Sequence, residues 1–234
     1  MRRFYASPEN FKESKVTLDL EETRHLRDVL RLKIAETVRV FDGYGKEFLC
    51  EIEEISKKFS KLNIINEISP ISSESNLELT LAVALLKGDK LDLVVQKAVE
   101  LGVTTFVPIV TIRCDVKSLR AERLNRISLE ATKQCGRAKL MQIKPQVEFK
   151  EFINNCESET FLFSERSGEK FASIKSGKKL TAIIGSEGGW EDSEIELARK
   201  KGIQIITLGG RILRAETAAI SITSLLQHSF GDLK

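Results

Sequence analysis

From Leu77 onward the chain alternates short apolar runs with segments of helical periodicity, and this alternation restricts the fold more than any other feature. "LELTLAVALL" has the texture of a strand, while "DKLDLVVQKAVELG" carries Leu91, Val94, Ala98 and Leu101 at helical spacing and stops at Gly102. "VTTFVPIV" is again extended, and "SLRAERLNRISLEATKQCG" is a long helix with Leu124, Ile127, Ala131 and Cys135 inward and Gly136 at its end. A shorter helix at "FKEFINNC" precedes three apolar runs, "TFLFSE", "LTAIIG" and "IQIITLG". Between the last two lies "SEIELARKKG", whose Ser193 and Glu196 have capping-box spacing. A final helix starts near Glu216 or Thr217 and runs through "AAISITSLLQHSF". Strands and helices in alternation predict an α/β domain built on a parallel sheet.

The amino-terminal part has another texture. After a helix-like "EETRHLRDVLRL", the segment "ETVRVFDGYGKEFLCEIEEI" sets two β-rich runs around Asp42-Gly43 and Gly45, a hairpin signal, and "KLNIINEI" extends it into a meander. The stretch "SPISSESN" has linker composition. The predicted organisation is a small, mostly β domain over 1–70 and an α/β domain over 71–234.

Composition excludes several classes. With 37 Lys and Arg against 34 Asp and Glu, a net charge of +3 does not by itself imply a nucleic-acid partner. Cys50, Cys114, Cys135 and Cys156 form no CxxC pair and the histidines are His25 and His228, so no metal site is expected. Scattered cysteines in a chain this long suit a reducing cytoplasm. The basic start "MRRFYASPENF" lacks an apolar signal region, and no run approaches a membrane span; a soluble protein is expected.

Two successive apolar runs end in glycine loops, "AIIGSEGGW" and "IITLGGRILRAET". Ligands of open α/β sheets bind at the carboxyl ends of strands, where backbone groups are free and helix N-termini point into the crevice. Gly185, Gly188, Gly189, Gly209 and Gly210 let the main chain approach a flat ligand closely. A single such loop is as often a plain turn, but two charged ones close together favour a nucleotide-sized pocket. Neither has the GK[ST] ending of a P-loop, and neither spells GxGxxG.

"IGSEGGW" followed by "LGGRILRAETA", with "LLKGDKLDLVVQKAVELGV" and "EATKQCGR" before them, resembles the RsmE-type 16S rRNA uracil-N3 methyltransferases of the SPOUT class. "RRFY" and "HLRDVLRLKIAETVRVFDGYGKEF" are similar to that family's PUA-like, RNA-binding β-barrel, so the resemblance spans nearly the whole chain. It implies an S-adenosylmethionine cofactor, a deep carboxy-terminal trefoil knot, a homodimer, and small-subunit rRNA or the assembled 30S particle as substrate. Three positions depart from the pattern: Ser186 and Gly210 stand where proline is common, and Glu191-Asp192 where Ser-Pro opens a helix. The first two affect loop stiffness; the third moves the expected helix start toward Ser193.

By matching positions, the resemblance implies cofactor contacts from Gly185, Glu187, Gly188, Leu208, Gly209, Ile212, Leu213, Ala215 and Thr217, with Leu208, Ile212 and Leu213 as apolar walls. Uracil N3 becomes nucleophilic when its proton leaves and negative charge spreads onto the flanking carbonyls. A fixed donor aimed at that charge is the expected catalytic device, and the guanidinium of Arg214 is the choice. Glu216 also belongs to the candidate catalytic set; in the first turn of a helix the dipole favours its carboxylate, which suits a helix-start anchor orienting Arg214 better than a general base. The proton acceptor stays open, with Glu187 as an alternative.

RNA contact is expected from local charge. Arg113 to Lys144 holds nine Lys and Arg against three acids. Arg137 inside "QCGR", Arg211 beside the pocket, and Arg2, Arg3, Arg27 and Arg31 in the small domain are the predicted RNA-binding residues, with Tyr5 suited to stacking on unpaired bases. A competing reading is an RNA-binding ribosome assembly factor with a degenerate cofactor pocket, resting on Ser186 and Gly210.

Overall fold

The computed structural model describes residues 2–156, 159–166, 168–175 and 177–234. The chain divides into two compact units: Met1–Glu74 with Thr132–Leu140, and Ser75–Ala131 with Met141–Lys234.

The first unit holds β1 (Arg3–Tyr5), β2 (Phe11–Lys12), β3 (Lys15–Leu18), α1 (Leu20–Arg24), β4 (Thr37–Phe41), β5 (Glu47–Ile55) and β6 (Ser60–Ile68). Its sheet runs in the order β1-β4-β5-β6-β3-β2, with β1 parallel to β4 and the other pairs antiparallel. Alternation builds the core: Val38 and Val40 of β4, Cys50 and Ile52 of β5 and Leu62 of β6 turn inward onto Phe4, Val16, Leu18 and Leu26. Asp19 caps α1 by accepting the Glu22 N–H at 2.9 Å, and the helix passes into one π turn, His25–Val29. Thr132–Leu140 is tied in by ion pairs. Lys133 Nζ lies 2.5 Å from Glu22 Oε1, and Arg137 grips the Glu74 carboxylate, with NH2 to Oε2 at 2.7 Å. The Arg3 guanidinium bonds Glu47 at 2.8 Å and the carbonyls of Thr132 and Arg137 at 3.0 and 2.6 Å.

The second unit contains β7 (Glu78–Ala84), α2 (Lys90–Glu100), β8 (Thr105–Val110), α3 (Ala121–Cys135, its last turn counted with the first unit), β9 (Gln142–Ile143), β10 (Val147–Glu148), α4 (Phe149–Asn154), β11 (Glu159–Phe163), β12 (Glu169–Lys170), β13 (Lys179–Ile184), α5 (Asp192–Lys200), β14 (Gln204–Thr207) and α6 (Ala215–Phe230). Its strands pair in parallel in the order β10-β8-β7-β13-β11-β14-β12, with β9 beside β8. The predicted parallel α/β sheet is present. β7 and β13 read as near-continuous apolar runs, and their residues are buried on both faces of the strand, as in covered parallel sheets. Among the described residues no helix is long and apolar enough to cross a membrane.

Two helix starts differ from expectation. The capping box of α5 is formed by Glu191 and Glu194, not Ser193 and Glu196: each glutamate side chain accepts the other's backbone N–H. Glu191 serves as N-cap because Arg113 holds its carboxylate in place at 2.8 Å. α6 begins at Ala215, one residue before the expected range, with the Ala218 N–H closing the first turn on the Arg214 carbonyl at 2.8 Å.

Candidate active site

The carboxyl ends of β11, β13 and β14 open into one cavity of about 460 Å³. The two glycine loops meet there: Gly185, Glu187 and Gly188 line it from the first, and Leu208, Gly209, Arg211, Ile212, Leu213, Arg214 and Ala215 from the second and the start of α6. Glu216 and Thr217 follow along α6 and lie outside the lining. Glu216 Oε2 is buried without a hydrogen-bond partner among the described residues.

The first loop is built as a tight turn. The Gly189 N–H donates to the Ser186 carbonyl at 3.0 Å, with Gly189 in the left-handed region at φ 70°. The Ser186 hydroxyl bonds the Arg113 carbonyl at 3.2 Å, and Arg113 NH1 returns a bond to the Gly188 carbonyl at 3.1 Å. Glu187 Oε1 accepts from Lys90 Nζ at 2.9 Å and from the Lys87 N–H at 3.2 Å. Burial pushes the Glu187 carboxyl up; the bonds from Lys90 and from the backbone N–H groups of Glu187 and Lys87 outweigh it and hold the group below its ordinary range. The hydrogen bond from Arg113 lowers the Glu191 carboxyl in the same way.

The reason for the glycines differs from the expected one. A Cβ on Gly185 would stand 2.9 Å from the Trp190 ring, on Gly188 2.9 Å from Arg113, and on Gly189 2.8 Å from Glu165. These three let the loop pack on its own protein. In the second loop, Gly209 is required by its backbone, at φ 127°, and Gly210 faces open space. That loop leaves Ile212 83% exposed at the cavity.

Trp190, Glu165 and Lys90 are among the lining residues that sequence reasoning missed. Trp190, the chain's single tryptophan, is buried and donates to the Phe163 carbonyl at 2.9 Å, with Phe149 against its other side. Glu165 ends the apolar run of β11, so the strand-end rule that selected the glycine loops also reaches it.

Three of the arginines expected to meet RNA have intramolecular partners. Arg3 and Arg137 are buried among the carbonyls and carboxylates described above, and Arg27 is held by Asp28 at 2.6 and 2.7 Å. Guanidinium groups saturated in this way brace the fold. Arg2, Arg31 and Arg211 are exposed, Arg31 beyond the helix at φ 53°. The basic stretch is similarly depleted, since Arg113, Arg123, Lys133 and Arg137 all sit in ion pairs.

Comparison with known proteins places this geometry. Residues 73–227 match the model of an RNA methyltransferase domain, and residues 18–65 that of an RNA methyltransferase PUA domain. The chain belongs to the ribosomal RNA small subunit methyltransferase E family. A methyltransferase E from Rickettsia conorii is 34% identical over 94% of this chain and 92% of its own length. One from Buchnera aphidicola is 32% identical over 92% of the chain and 88% of the relative. The crystal structure of a methyltransferase E from Neisseria gonorrhoeae bound to S-adenosyl methionine superposes with a TM-score of 0.92 at 33% identity, covering 100% of both chains.

Proposed function

We propose that the chain is an S-adenosylmethionine-dependent methyltransferase of small-subunit rRNA, methylating N3 of a uridine. The observation that carries this reading is the joint opening of both glycine loops into one cavity with Arg214 on its wall, in a chain of the methyltransferase E family.

The cavity suits the donor in size and chemistry. Apolar walls from Leu208, Ile212 and Leu213 fit an adenine, and the carboxylates of Glu165 and Glu187 complement a ligand carrying an ammonium and a sulfonium. S-adenosylmethionine, when bound, supplies a methyl group already activated for transfer. The protein's task is then to make the acceptor nucleophilic. Arg214, N-cap of α6 in extended conformation, carries an exposed guanidinium beside the cavity with no side-chain bond to its own helix. It is placed to stabilise charge spreading onto the uracil carbonyls as the N3 proton departs. Glu216 anchors the first turn behind it, while Arg211 and Arg2 meet RNA phosphate.

Family membership supports three further elements of the proposal: the SPOUT trefoil knot in the carboxy-terminal domain, a homodimer, and cytoplasmic work on rRNA or the assembled small subunit. The assembly-factor alternative gains nothing from its two positions. Ser186 turns its hydroxyl to Arg113 and Gly210 faces open space, so neither fills the cavity. Small subunits from cells lacking the modification, incubated with the chain and labelled S-adenosylmethionine, should acquire label in one N3-methyluridine mapped by mass spectrometry. Retention of RNA without transfer would establish the assembly-factor reading instead.

A further inference from the structure

The tip of the β4–β5 hairpin is unused by the chemistry above, and its construction is specific. Tyr44 stands there 78% exposed, the one aromatic side chain in the exposed class among the described residues. The tip is nevertheless fixed. Asp42 Oδ1 accepts the N–H groups of Tyr44 and Lys46 at 2.7 and 3.0 Å, and Gly43 and Gly45 take φ of 80° and 112°. The segment after α3 then clamps it: the Gly45 N–H donates to the Ala138 carbonyl at 3.1 Å and the Leu140 N–H to the Gly43 carbonyl at 2.9 Å. Arg137, buried on Glu74, anchors that clamp. This gives the "QCGRAKL" stretch a physical task.

An aromatic ring held in water on a fixed backbone gains nothing for stability by its exposure. It is suited to stacking, because an unpaired base covers the ring and the turn that carries it is already ordered. The charges agree. Lys139, whose backbone bridges Gly43 and Tyr44, is exposed and has no ion-pair partner among the described residues, and Lys46 is exposed 3.7 Å from Glu67. Of the acids beside the tip, Glu67 faces Lys46 and Asp42 commits its Oδ1 to the turn, which leaves Lys139 as the cation without a carboxylate partner among the described residues. Tyr5, expected to stack, instead lies half-buried beneath the tip, its ring 5.5 Å from Phe41 and in contact range of Gly43.

We infer that Tyr44 is a base-stacking residue for single-stranded RNA and that Lys139 takes an adjacent phosphate. The inference rests on the proposed RNA substrate. The test uses the full chain and a fluorescent oligouridylate of about 12 nucleotides, a length within known single-strand site sizes. Anisotropy titration should show Tyr44→Ala weakening binding by about 5- to 150-fold, the range for loss of one stacked base. Tyr44→Phe, which keeps the ring, should bind as the unaltered chain, and Lys139→Ala should reduce the slope of log affinity against log salt by about 0.7. Binding of S-adenosylhomocysteine, measured by calorimetry, should be the same in all variants. Tyr44→Ala binding as tightly as the unaltered chain overturns the inference alone. An unaltered chain that retains no RNA overturns the functional reading and the inference together.

Discussion

The indole of Trp190 lies against Gly185 so closely that a Cβ on the glycine would meet Cε2 at 2.9 Å and Nε1 at 3.0 Å. The first cavity loop therefore rests directly on a buried ring. That ring is pinned by its bond to Phe163 at the end of β11, so the shape of the loop is inherited from the sheet.

Gly185→Ala should disturb both stability and cofactor uptake. The ring is buried and hydrogen-bonded, so the loop has to move, and overpacking of this kind costs about 1–3 kcal/mol. Denaturant unfolding followed by Trp190 fluorescence measures the first effect, and calorimetry with S-adenosylhomocysteine the second. Full uptake at unchanged stability would mean the loop shifts freely.

Arg214→Ala should lower methyl transfer by about 10²–10³-fold, the usual loss for one donor aimed at developing charge. Cofactor binding should persist, since the cavity keeps its other walls. Arg214→Lys should recover little, because an ammonium does not address two carbonyl oxygens in one plane. Single-turnover assays on small subunits separate these effects from RNA affinity.

Lys133→Met should destabilise the first unit, because it leaves the Glu22 carboxylate buried without its cation; broken buried pairs cost about 3–5 kcal/mol. Burial already pushes the Glu22 carboxyl up, against the lowering effect of Lys133. Removing the lysine raises it further. A carboxyl raised in the folded state costs stability as it ionises, so the cost grows as pH climbs through the folded value. The deficit measured by urea unfolding should therefore be larger at about pH 8 than at about pH 5. A deficit independent of pH would assign the loss to packing.

Cys50 should be inert in the native chain. Burial pushes its thiol up to about 12, and the thiolate is the reacting form. Iodoacetamide under native conditions should modify half-buried Cys135 first and spare Cys50 until the chain is unfolded, as peptide mass spectrometry would show. Native labelling of Cys50 would indicate local opening of β5.

Much of the second unit is legible in local pattern. Gly102 and Gly136 stop helices where expected, and the ends of β13 and β14 carry the loops that line the cavity. What escapes local reading depends on distant partners. Glu191 becomes an N-cap through Arg113, and Trp190 becomes a floor through Phe163 and Phe149. The carboxylate partners of Arg3 and Arg137 are hidden from charge counting for a related reason: Glu47 and Glu74 meet them only in the fold. The "DGYG" sequence specifies a turn, but the display of its ring is not legible there, because the backbone that carries it is clamped by residues far along the chain.

The discontinuity of the first unit bears on how the molecule is made. When a ribosome has released only residues up to Glu74, Glu22 and Glu74 await Lys133 and Arg137, and Arg3 awaits the carbonyls of Thr132 and Arg137. The portion translated first thus waits for residues 132–140, with most of the intervening second unit already made, before it is complete. A chain halted before Leu140 emerges lacks the cation that pairs with buried Glu22 and the carbonyls that complete the Arg3 guanidinium.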